Sequence, residues 1–128
     1  MIIGTGIDIV EVPRMKQAIR KWNENFLSKV FTEREIAYSS SRRFAPQHFA
    51  ARFAAKEAVV KAFGEPAKYP IRWTDIEVLN DHEGKPMVTC HKSARAAMRA
   101  KKIDRIMISL SHSARYAIAN AILVRGKE

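Results

Sequence analysis

Between Pro46 and Gly64 the chain reads PQHFAARFAAKEAVVKAFG, and no other stretch restricts the fold as strongly. Proline near the start, alanine throughout and a glycine stop predict one long helix. Phe49, Phe53, Val60 and Phe63 recur at spacings of four, seven and three, so they share a stripe expected to face a core. A helix of this length needs a sheet or other helices to cover it, and the flanking segments provide candidates.

Residues 2 to 10 alternate as a strand does, with Ile2, Gly4, Gly6, Asp8 and Val10 on one face and Ile3, Thr5, Ile7 and Ile9 on the other. Both faces are mostly apolar or small. Pro13 then suits the first turn of a helix that continues with Met15, Ala18, Ile19 and Trp22. Thr32 followed by Glu35 is a capping-box pattern and predicts a short second helix. Further on, WTDIEVLNDHEGKPMVTC reads as strand, turn, strand, and SARAAMRAKK as a helix. RIMISLSHS and RYAIANAILV form a closing hairpin. The expectation is an α+β fold in one domain spanning 1–128, with a mainly antiparallel sheet packed on the long central helix.

Charge narrows the partners. The chain carries 23 Lys and Arg against 13 Asp and Glu, a net +10, so it should attract anions. The excess is spread out, with eight basic against four acidic residues in 11–45 and six against one in 91–105. No apolar run approaches a membrane span and no basic segment leads into an apolar leader, which reads as a cytoplasmic protein. Cys90 is the only cysteine and excludes an intrachain disulfide or a cysteine-rich metal site.

Two acids are misplaced for a purely structural chain. Asp8 sits inside an apolar strand, where a carboxylate is costly without a cationic partner: an Arg, a Lys or a metal. Glu57 flanks the Phe stripe, one turn beyond Phe53, with Lys61 at i+4 as a ready salt-bridge partner. If the long helix crosses the first strand, the two acids converge, and a pair of carboxylates is what Mg²⁺ uses beside a phosphate-bearing substrate. An ion pair of Asp8 with an arginine serves equally well on spacing alone. Arg52, Lys56 and Lys61 put cations around Glu57, and His112 ends the strand ISLSH, a mixture suited to a metal with a pyrophosphate. A basic RNA-binding α+β domain is the competing class, since it accounts for the charge. It leaves the paired acids unexplained, and the strands lack aromatic clusters for base stacking.

GIDIVEVPR, FAARFAAKEAVVKAFG, DIEVLNDHEGKP and ISLSHS, in that order and spacing, resemble the holo-acyl-carrier-protein synthase family, the short group of phosphopantetheinyl transferases. The likeness covers nearly the whole chain. It implies transfer of the phosphopantetheine arm of coenzyme A to a serine of an acidic apo-acyl-carrier protein in fatty acid biosynthesis, with release of adenosine 3′,5′-bisphosphate. It also implies a homotrimer whose active sites lie at subunit interfaces, each chain being a single half-unit of the fold. By resemblance, Asp8 and Glu57 match magnesium-binding carboxylates. Lys61 and Lys56 match lysines facing the cofactor phosphates, and Arg52 and His112 match coenzyme A contacts. Gly84, Lys85 and Pro86 correspond to a loop near the adenine end of a neighbouring subunit's cofactor, while Arg14 and Lys21 fall on the helix that meets the carrier protein. A metal-bound water, Glu57 or Asp8 is available to take the serine proton. One departure stands out: after KAFG, where many members continue Thr-Gly, this chain has Glu65 and Pro66, which alters the expected backbone contacts to phosphate.

Overall fold

The computed structural model describes residues 1–64 and 70–126. The departure at Glu65 and Pro66 lies outside them. A strand β1 (Ile2–Glu11) leads into helix α1 (Val12–Val30), then α2 (Glu33–Ser40) and the long α3 (Ala45–Phe63). A short 3-10 turn (Trp73–Asp75) precedes β2 (Ile76–Asn80) and β3 (Pro86–Cys90), followed by α4 (Lys92–Ala100), β4 (Arg105–His112) and β5 (Tyr116–Val124). β1, β5 and β4 form one antiparallel sheet in that order, and β2 with β3 forms a separate hairpin.

Local chemistry sets several of these boundaries. Pro13 occupies the first turn of α1, where its missing N–H costs nothing. Asn23 breaks the helix with φ near 50°, in the left-handed region that asparagine tolerates, and the chain resumes helix to Val30. At α2 the capping box is complete: the Thr32 hydroxyl accepts from Glu35 N–H, and the Glu35 carboxylate accepts from Thr32 N–H at 2.8 Å.

The packing of α3 differs from its expected stripe. Ala50, Ala51, Ala54, Ala55, Ala58 and Ala62 are buried, and they face a sheet whose inner surface is as small as they are. Ala117, Ala119 and Ala121 of β5 lie opposite Val10, Asp8 and Gly6 of β1. A Cβ on Gly4 would sit 2.1 Å from the Ala62 carbonyl oxygen, and one on Gly6 2.0 Å from that of Ala58. Helix and strand backbones therefore touch, which only glycine permits. Because alanines and glycines make this contact, α3 is buried almost all round, and its partly open side is Phe53, Glu57, Val60 and Lys61. Half of the expected core stripe thus borders solvent, beside the two charged residues of interest.

The sheet has a second surface that α3 does not cover. Ile7 and Ile9 are each 60% exposed, and Ile118, Tyr116 and Met107 share that side. The registers align Ile9 with Ile118 and Ile122 with Met107, so apolar residues dominate this face, with Asn120 and Ser109 between the two pairs. The apolar outer face of β1 is therefore left uncovered within one chain.

Candidate active site

β1 delivers Asp8 to the α3 side of the sheet. Its cross-strand neighbours, Ala119 and then Leu110, offer no charge, so its partner comes from the helix. Lys61 Nζ lies 3.0 Å from Asp8 Oδ1 and also donates to the Ile7 carbonyl at 3.1 Å. The strand acid is thus matched by lysine, and Lys61 turns to Asp8 in place of the i+4 pairing with Glu57. Glu57, one turn earlier on the open side of α3, accepts a 2.6 Å hydrogen bond at Oε1 from the Trp73 indole N–H.

The close backbone approach at Gly4 and Gly6 makes this convergence possible, since it sets the helix where a lysine side chain spans back to the strand. Asp8 is 17% exposed and Lys61 54%, so their pair is wet on one side and contributes about 1 kcal/mol or less. It yields easily to a stronger cation. Asp8 Oδ2 and Glu57 Oε2 have no hydrogen-bond partner among the described residues. Magnesium binds through one or two carboxylates and completes its shell with water and phosphate oxygens, so these two acids fit it. Among the described residues no cluster of three or more His, Cys, Asp or Glu offers a fuller protein cage.

A basic cluster is built around Tyr38. Arg52 and Arg42 both stand 4.2 Å from its ring centroid, and Asn80 Nδ2 donates to its hydroxyl at 2.8 Å. Arg52 is buried under this ring at 2% exposure, and its Nε has no hydrogen-bond partner among the described residues. His112 Nδ1 lies 3.0 Å from Gln47 Oε1, and the His48 ring stands edge-on at 5.0 Å from His112. Burial, with the nearby His112, Arg52 and Arg42, pushes the His48 pKa down. Gly84 opens onto the same region: with Arg34, Tyr38, Arg42 and His82 it lines a cleft of about 580 Å³. Gly84 takes φ of 84° at the hairpin turn, a conformation that favours glycine. Lys85 and Pro86 line a different groove of about 570 Å³, between β3 and β4, with Met87, Met98 and Met107.

Lys56 is a correction. Expected to face phosphates, it is fully buried, paired with Glu35 Oε1 at 2.7 Å, and donates to the carbonyls of Trp73 (2.9 Å) and Ile76. All three of its protons are used inside the protein. The reason is the burial of α3 on nearly every side, which sends position 56 inward and leaves position 61 at the surface. Glu35, read from sequence only as a cap, also accepts from Val78 N–H at 2.7 Å, so it ties α2 to β2 and α3 together. Next to it, burial pushes the Glu77 carboxyl up, but hydrogen bonds from Arg34, Thr32 and His91 outweigh this and bring it to about 2.

On α1, Val12 and Met15 point into the core, leaving Arg14, Lys16, Arg20 and Lys21 exposed. Arg14 lies 3.9 Å from Glu11, and the Lys21 ammonium sits 4.9 Å from the exposed Trp22 ring. Trp73 and Tyr38 went unnoticed in the sequence. A Trp three residues before the strand that opens at Ile76 is a visible signal only once its partner on α3 is known.

The description "4'-phosphopantetheinyl transferase superfamily" belongs to the family model that matches residues 4–121. A holo-[acyl-carrier-protein] synthase of Koribacter versatilis is 43% identical over 123 residues, covering 96% of this chain and 98% of its own. The crystal structure of holo-[acyl-carrier-protein] synthase from Neisseria meningitidis superposes with a TM-score of 0.88 at 26% identity, over 98% of this chain and 100% of that one. The Bacillus anthracis holo-(acyl-carrier-protein) synthase, solved in complex with CoA (3',5'-ADP), gives a TM-score of 0.80 at 32% identity, over 98% and 99%. With the family model spanning most of the chain and the same α+β architecture throughout, this protein belongs to the 4′-phosphopantetheinyl transferase superfamily.

Proposed function

We propose that this protein is a holo-[acyl-carrier-protein] synthase: it transfers 4′-phosphopantetheine from coenzyme A to a serine of apo-acyl-carrier protein and releases adenosine 3′,5′-bisphosphate, a step serving fatty acid biosynthesis. The observation that carries the reading is the meeting of Asp8 and Lys61 across β1 and α3, with Glu57 one turn away. A relative with this name at 43% identity, and a neighbour solved with CoA (3',5'-ADP), support it.

Asp8 and Glu57 would hold Mg²⁺, which when bound supplies positive charge against the pyrophosphate oxygens. Lys61, half exposed and joined to Asp8 by a weak pair, is free to swing its ammonium onto a phosphate oxygen. Arg52, Arg42 and His112, gathered around Tyr38 and Gln47, supply donors for the nucleotide phosphates. Gly84 borders that cleft, whereas Lys85 and Pro86 face another groove and serve a neighbouring subunit's cofactor. The outer sheet face around Ile7, Ile9 and Ile118 is the surface that a homotrimer buries. The protein acts in the cytoplasm, in keeping with a lone Cys90 whose thiol burial pushes up to about 11.

The test is intact mass of apo-carrier protein after incubation with coenzyme A and Mg²⁺. A gain of one phosphopantetheine, suppressed by chelator, is expected, with the native mass of the enzyme reading a trimer. An unchanged carrier mass, together with salt-sensitive RNA binding that survives chelation, would favour the competing class.

Arg14 and Lys21 present the basic side of α1 to an acidic partner. Arg14→Glu should raise KM for carrier protein about tenfold and leave KM for coenzyme A near its native value. Equal changes in both constants would remove this helix as the docking face.

A further inference from the structure

Glu57 does not stand alone. Its Oε1 is held by the Trp73 indole at 2.6 Å, and Trp73 is in turn held through its ring and through the backbone of its turn. The Phe53 ring packs against it with centroids 5.9 Å apart and a 40° tilt. The Trp73 backbone carbonyl accepts from the buried Lys56 at 2.9 Å. The 3-10 turn that carries it is closed by Asp75 N–H to the Arg72 carbonyl at 3.0 Å and by Arg72 N–H to Asp75 Oδ2 at 3.1 Å. The turn is also tied to β3 through His91 N–H on the Asp75 carbonyl at 2.7 Å.

An indole N–H donates only and never titrates, so it fixes one carboxylate oxygen without competing as a ligand. A surface glutamate has three side-chain torsions, and restraining Oε1 removes most of the freedom that ligand binding would otherwise have to freeze. The buried Lys56–Glu35 pair thus has a use at the site: it anchors the backbone of the residue that aims Glu57.

We propose that Trp73 is a positioning residue, which holds Glu57 by its indole N–H so that Oε2 is presented to the divalent cation, and that it thereby sets metal affinity. This rests on the reading of Asp8 and Glu57 as magnesium ligands. Trp73→Phe keeps the ring against Phe53 and removes the donor. It should need roughly tenfold more Mg²⁺ for half-maximal transfer. At saturating Mg²⁺, kcat should stay within about twofold of native and KM for coenzyme A should not move.

A readout free of turnover comes from the indole ¹H–¹⁵N resonances, of which there are two, Trp22 and Trp73. Glu57→Gln should shift the Trp73 signal upfield and leave that of Trp22 on α1 in place. Mg²⁺ added to the native protein should likewise move Trp73 alone. A Trp73 signal unmoved by Glu57→Gln overturns the proposal, even if Trp73→Phe fails to fold. So does a Trp73→Phe enzyme with the native Mg²⁺ requirement while the native enzyme is metal-dependent. A native enzyme that runs at full rate in excess chelator sinks the magnesium reading instead, and the role of Trp73 in metal affinity falls with it.

Discussion

Asp8→Ala lowers transfer to carrier protein by about a hundredfold or more, with the thermal midpoint held within a few degrees. The two halves of this expectation have separate causes. Activity should fall because, on the proposed magnesium reading, one of the two carboxylate ligands is lost and Glu57 alone would not keep a dication at useful concentrations. Stability holds because Asp8 contributes little to packing: its ion-pair partner Lys61 is 54% exposed and recovers its water. The glycines that bring α3 onto β1 are unaffected. The time course of carrier-protein mass measures the first half and thermal unfolding the second. Transfer at more than about a tenth of the native rate would remove Asp8 from the chemistry.

The opposite pattern is expected five residues before Lys61, on the buried side of the same helix. Lys56→Met leaves Glu35 as an unpaired acid at 0% exposure, a loss of about 3–5 kcal/mol. For a chain of this size that lowers the melting midpoint by roughly 10–20 °C. Burial already pushes the Lys56 pKa down, with Glu35 pulling the other way, so removing one partner strands the other. Removing both, as Lys56→Met with Glu35→Gln, should recover much of the loss, because the desolvation cost disappears with the charges. A Lys56→Met enzyme that melts like the native one but no longer transfers would return Lys56 to the phosphate site.

The contrast between positions 56 and 61 shows where reading the chain succeeds. KEAVVK places both lysines near Glu57 with no means of ranking them, since helical spacing says who shares a side and not which side is covered. The covered side depends on the small residues of two distant strands. YAIANA in β5 and IIGTGID in β1 present alanines and glycines inward, and these admit the alanine surface of α3 at backbone contact. The Phe stripe was the more conspicuous pattern and proved to be partly open. The capping box at Thr32 and Glu35 was legible for a related reason: it is a contact between residues three apart in the chain. The further bonds of Glu35 to Lys56 and Val78 cross 21 and 43 residues and had no local signature.

What the chain specifies by itself is whatever its short-range chemistry dictates: the alternating strand that carries Asp8, the helix that carries Glu57 and Lys61, the hairpins, and a set of motifs sufficient to recognise the family. Tertiary structure decided the pairings. It sent Lys61 to Asp8 and Lys56 to Glu35, set Trp73 on Glu57, stacked Arg52 on Tyr38, and left the Ile7, Ile9 and Ile118 face open. The physical reason is that periodicity fixes direction relative to an element's own axis, whereas burial depends on the size of whatever packs against it, and those residues lie far away in the chain.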